Sequence, residues 1–183
     1  MSTSESAPTL RALALARASE LLGQLGPVHC EDPVAEASIA HVIERQAIGR
    51  ASGAFPAIRG ALLASVEHGV HEHPFLLVGA RADEAAPWSL LDLAGLARRP
   101  RAGTRFVIAS SAAIAVGHFA PDPRVTRLWL RLADGTGDVA DRQGDAVLVV
   151  AAVGDPATAS PARLEYLAAG GGAITSEDIA IAP

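Results

Sequence analysis

The run Glu67-His68-Gly69-Val70-His71-Glu72-His73-Pro74 holds three of the chain's six histidines. Imidazoles two apart on an extended segment project to the same side. His71 and His73 are therefore placed to ligate one divalent transition metal, with His118 or a carboxylate completing the set. Without a metal, His71, His73 and His118 remain candidates for general acid or base work, because imidazole titrates near neutrality. The plainer alternative is a solvated junction in which Gly69 supplies a turn between a helix and a strand.

A second group of candidates follows from topology. If the apolar runs 75–80, 105–109 and 146–153 are strands of an open α/β sheet, ligands bind outside their carboxyl ends. That selects Asp83 and Glu84 after the first run, Ser110 and Ser111 after the second, and Asp155 with Ser160 after the last. These are the expected contacts for a small polar or anionic molecule, and the loop 154–160 leading into a helix can present backbone N–H groups to an anion. Cys30 precedes a helix start that favours a thiolate, but Glu31, Asp32 and Glu36 oppose it, so an ordinary thiol is expected.

Composition removes several chemistries. All 15 basic residues among the 183 are arginine. Without lysine there is no Schiff base to pyridoxal phosphate and no P-loop nucleotide site. Asparagine is also absent, which excludes a Cys-His-Asn triad. A net charge of -5 and an aromatic content of 4% argue against nucleic acid as a partner. A lone cysteine makes no internal disulfide and suits a reducing compartment. No stretch approaches the roughly 20 apolar residues of a membrane helix, and the first residues lack a basic region followed by an apolar one. A cytoplasmic protein without membrane contact is expected.

The elements that must position these residues are read from periodicity. Leu10, Ala14, Ala18, Leu21 and Leu25 form a helical stripe. Asp32-Pro33 caps a second helix carrying Ala35, Ile39, Val42 and Ile43, and Phe55, Ile58, Leu62 and Val66 form a third stripe. Beyond residue 70 the reading is strand, helix, strand over 75–109 and again over 146–182. The segments 87–97 and 161–169 are the crossover helices of two right-handed βαβ units. The expected architecture is an α/β fold, a mixed, partly parallel sheet of about five strands, with α+β as the alternative. Residues 1–70 form a helical segment packed on the 71–183 sheet in one domain.

Residues 125–132 alternate strictly, with Leu128, Leu130 and Leu132 on one face and Arg127, Trp129 and Arg131 on the other. This reads as an edge strand whose Trp129 anchors a homo-oligomer. The expected function is a small enzyme acting on a small polar or anionic metabolite through a histidine-centred site, metal-assisted or general-base. The alternative is a non-catalytic ligand-binding or assembly subunit.

Overall fold

A computed structural model describes residues 9–24, 38–49, 58–68 and 71–181. The elements are α1 (Leu10–Gln24), β1 (Ser38–Ile48), β2 (Ile58–His68), β3 (His71–Arg81), β4 (Ser89–Gly95), β5 (Arg105–Ala109), β6 (Ala113–Phe119), β7 (Arg127–Arg131), β8 (Gly137–Asp141), β9 (Ala146–Ala152), α2 (Pro156–Ala159), β10 (Ala162–Leu167) and β11 (Ala173–Ile179). The strands form three sheets, ordered β1-β2-β3-β4, β5-β6-β9 and β11-β10-β7-β8. Every pairing among them is antiparallel.

Alternation along each strand explains how the sheets stack. In β2 and β3, Leu62, Phe75 and Leu77 pack beneath Leu10, Ala14 and Ala18 of α1. Their neighbours Leu63, Leu76 and Val78 face the other way, onto Ile108, Ala115, Leu148 and Val150 of the three-stranded sheet. The opposite face of that sheet, carrying Val116, Val147 and Val149, meets Leu128, Leu130, Leu164 and Tyr166 of the third. The β5-β6-β9 sheet is therefore the middle layer, which is why β6 and β9 read as continuous apolar runs with almost every residue buried.

The expected α/β fold is overturned by this antiparallel arrangement. Ile58, Leu62 and Val66 are four apart, a spacing that satisfies a helical stripe and one face of a strand equally well. All three enter the same core from β2, while Ala61 and Leu63 supply the other. In β1 the misleading signal is a bulge. Pairing with β2 shifts between Ala40 and Ile43, and the inserted His41 has φ 54, so Ile39 and Val42 face α1 while Ile43 faces the middle sheet. The supposed crossover helices are themselves strands. Residues 89–95 form edge strand β4, and 162–167 alternate in burial as β10. With strands in those places, no βαβ unit remains. Strand β7 is not an edge either, since β10 and β8 flank it. The cap at Asp32 and the thiol of Cys30 lie outside the described residues. Among the described residues, no helix is long and apolar enough to cross a membrane.

One polar contact joins all three sheets. Arg45 of β1 grips Asp138 of β8 in a fork, Nε to Oδ2 at 2.9 Å and Nη2 to Oδ1 at 2.6 Å. The same Oδ2 accepts the backbone N–H of Val150 in β9 at 2.9 Å. Close approach matters as well: at Gly117 of β6 an added Cβ would stand 2.7 Å from Leu63 Cδ1 of β2.

Asp138→Ala is expected to lower unfolding free energy by about 2–3 kcal/mol, the scale for losing charge-assisted hydrogen bonds and stranding their donors. Urea denaturation followed by circular dichroism measures it, and a change indistinguishable from zero would show that the clamp is ornamental.

Candidate functional site

The structure separates the histidines that the sequence groups. His73 is buried in β3, and its Nδ1 hydrogen-bonds the Leu96 carbonyl at 3.1 Å, the signature of a packed core histidine. His71 lies at the start of β3 beside Glu72, Arg98, Arg99 and Pro100. His118 belongs to the middle sheet, paired with Arg105 across β5-β6 and with Val147 across β6-β9. No group of three metal-competent side chains among the described residues contains any of the three.

The expected strand-end contacts act locally. Asp83 Oδ1 accepts N–H groups from Ala85 and Ala86, closing the β3-β4 turn. Ser110 Oγ bonds Ala113 O and the backbone nitrogens of Ala112 and Ala113, closing the β5-β6 turn beside Ser111. Asp155 caps α2 through Ala157 N, and Ser160 ends it with its backbone N–H on Pro156 O. Asp155 also lines an open cleft of about 710 Å³ between the end of β1 and the β7-β8 turn, beside Asp134 and Thr136. In an antiparallel sheet the strand ends do not converge on one edge, so these residues do not assemble a site.

A different constellation forms around His118. A cavity of about 350 Å³ opens between the β5-β6 hairpin and the β10-β11 pair, lined by Arg105, His118, Asp122, Tyr166, Thr175, Ser176 and Glu177 among others. This lies at the small end of ligand-pocket size. Arg105 forms an ion pair with Glu177 across the opening. The His118 and Tyr166 rings meet edge to face, 6.0 Å between centroids at 88°.

The electrostatics of the cavity favour neutral forms of both rings. Burial, reinforced by the guanidinium groups of Arg105 and Arg142, pulls the His118 pKa below its ordinary 6.5, against an opposing hydrogen bond to the Gly103 backbone. Nδ1 of His118 is buried and without a hydrogen-bond partner. Burial raises the Tyr166 pKa, so the phenol stays protonated. At the rim, Asp122 is held at about 2 by hydrogen bonds from Arg124.

The chain matches no family model, no curated protein and no solved structure. The reading of function therefore rests on this chemistry alone. Of the cavity's residues, sequence reasoning singled out His118, as a third metal ligand or as an acid–base group. Tyr166 and Glu177 were missed because they come from separate strands whose register no local pattern reveals. Among the described residues, one metal-competent group of three forms, His41 of β1 with Glu67 and Glu72 of the paired strands β2 and β3.

The depressed His118 pKa carries a stability consequence with a definite sign. The unfolded chain's imidazole takes up its proton near 6.5, before the folded one, so acid favours unfolding. Stability is expected to fall as pH drops below about 6.5 and to level off below the folded-state value. Urea midpoints measured across that range should show a smaller acid-side loss in His118→Gln than in the parent. An identical loss in both would remove His118 as its source.

Proposed function

We propose that the chain is a small enzyme that binds a polar, anionic metabolite in the His118 cavity and uses neutral His118 as a general base. The observation that carries this reading is the unpartnered, half-buried imidazole held neutral beside a guanidinium. A ring nitrogen stripped of water and given no replacement is costly unless something uses it. Arg105, paired with Glu177 through Nη2, offers its remaining N–H donors to a carboxylate or phosphate. Tyr166, protonated, supplies a hydrogen-bond donor. Neutral His118 takes a proton from the bound molecule, and the imidazolium that forms is disfavoured by Arg105 and Arg142, which drives the proton back once the reaction has passed. The metal-assisted version, with His71, His73 and His118 as ligands, is not retained, because His71 and His73 lie on β3 of the first sheet and His118 on β6 of the middle sheet, and no metal-competent group among the described residues contains any of them. The reading places the protein in the cytoplasm, supported by its single cysteine.

The test is incubation in heavy water with a panel of small carboxylates and phosphorylated metabolites, followed by NMR. Parent protein is expected to load solvent deuterium onto one of them, His118→Gln to lose that activity by about a hundredfold or more, and Arg105→Gln to raise the concentration needed for half saturation. Incorporation that survives in His118→Gln would sink the base assignment.

Association into a homo-oligomer is a second reading, favoured by one surface. On the outer face of the β11-β10-β7-β8 sheet, Trp129 and Val139 are direct cross-strand partners, 39% and 49% exposed. Arg131 stacks on the indole, 4.3 Å to the ring centroid. Around them run Arg127 with Asp141 and Arg131 with Glu165, so the face carries both signs and can meet a second copy of itself across a two-fold axis. Light scattering at tens of micromolar is expected to give a multiple of the chain mass, reduced in Trp129→Ala. A monomeric parent ends this reading without touching the cavity.

A further inference from the structure

We propose that His41, Glu67 and Glu72 form a binding site for one divalent transition-metal ion of the zinc class, separate from the His118 cavity and independent of the enzyme reading. The ligand atoms of these three side chains lie within 4.8 Å of one another. The hairpin register pairs Glu67 directly with Glu72. Two carboxylates opposed on adjacent strands repel unless a cation lies between them. The third donor arrives by a separate device, the bulge in β1, which inserts His41 next to the position where Ala40 faces Ser65.

Distances fit a shared ion. His41 Nε2 stands 3.6 Å from Glu67 Oε1, too far for a good hydrogen bond. It is close to the separation of about 3.3 Å between two ligands of a tetrahedral ion with bonds near 2.0–2.1 Å. Both Glu67 and Glu72 are partly shielded from solvent, and one imidazole with two carboxylates is a donor set that suits zinc.

Two observations outside the trio point the same way. Glu72 Oε2 accepts the backbone N–H of Arg101 at 3.1 Å, an outer-shell hydrogen bond that orients the carboxylate while leaving Oε1 open. The Arg101 guanidinium is committed elsewhere, paired with Asp145 and set over the Phe119 ring at 5.4 Å. Its Nε remains 3.9 Å from Glu72 Oε1 and makes no hydrogen bond. The second observation is Ser65, fully buried two residues along the same strand face from Glu67, whose hydroxyl has no hydrogen-bond partner. An ion at the trio would carry a water as its fourth ligand, on the strand face where this hydroxyl lacks a partner.

The experiment is calorimetric titration of zinc chloride into the chelator-stripped full-length chain, repeated with cobalt chloride while visible absorption is recorded. One equivalent is expected, with the intense d–d bands of tetrahedral cobalt. His41→Ala, Glu67→Gln and Glu72→Gln should each weaken binding by roughly tenfold or more, while His71→Ala leaves it unchanged. Glu72→Gln keeps the side chain's shape, so its loss of binding with an unaltered circular dichroism spectrum separates ligation from folding should His41→Ala fail to fold. No binding, several weak equivalents indifferent to these substitutions, or loss in His71→Ala with retention in His41→Ala would each overturn the proposal.

Discussion

The carboxylate of Asp138 is where the three sheets become one structure. β9 is the outer strand of the middle sheet, so its outward-facing backbone groups need partners that no neighbouring strand supplies. Asp138 satisfies one of them, the Val150 N–H, and its remaining lone pairs accept the fork from Arg45. A carboxylate is suited to this place because it accepts several donors at once. The pair is 27% and 16% exposed, shielded enough for the contact to count and wet enough at its margin to limit the desolvation penalty. A second arginine works in parallel: Arg59, 2% exposed in β2, donates Nε to the Ala112 carbonyl in the β5-β6 turn at 3.0 Å. Both ties use planar guanidinium groups that reach across a sheet interface and donate in fixed directions, a task for which the ammonium of lysine is poorly shaped.

Stacking around a common middle sheet also decides where chemistry can reside. The faces of β6 and β9 are filled with aliphatic side chains, so polar groups survive only where the layers part. His118 is such a place, near the end of β6 where a cavity opens beside β10 and β11. The β2-β3 hairpin end is another. The connection from β4 to β5 passes both: Arg99 N and Arg101 N bond Glu72, and Gly103 then pairs with Phe119 beside His118. A single loop braced by backbone hydrogen bonds thereby sets the walls of two polar openings.

How much of this was legible depends on the spacing of apolar residues. The α1 stripe of Leu10, Ala14 and Ala18 is helical and buried as its period implies. The alternation around Trp129 marks the wet and dry faces of β7 correctly, with Leu128 and Leu130 in the core. Where spacings of four dominate, as in β2, period alone does not separate helix from strand, and the β1 bulge makes matters worse by moving Ile43 to the opposite face from Ile39. The site was legible in one respect only. Residues 67–68 and 71–72 flank Gly69-Val70 symmetrically in the sequence, and the antiparallel register sets Glu67 opposite Glu72; reading the segment as a helix-to-strand junction hid that symmetry. The partners of His118 come from positions as distant as 166 and 177, and only the register of strands far apart in the chain brings them together.

Sequence distance has a kinetic side. Arg45 and Asp138 are 93 residues apart, and Arg105 and Glu177 are 72 apart. Closing such loops costs chain entropy before any contact repays it, so this topology belongs with the slow folders, which reach the native state in milliseconds to seconds. The order of synthesis sharpens the point. β1 and its hairpin partners leave the ribosome long before Asp138 and Val150 exist to receive Arg45. During that interval the inner face of the first sheet, with Leu63, Leu76 and Val78, has no cover, and the nascent chain depends on dilution or chaperones to escape aggregation.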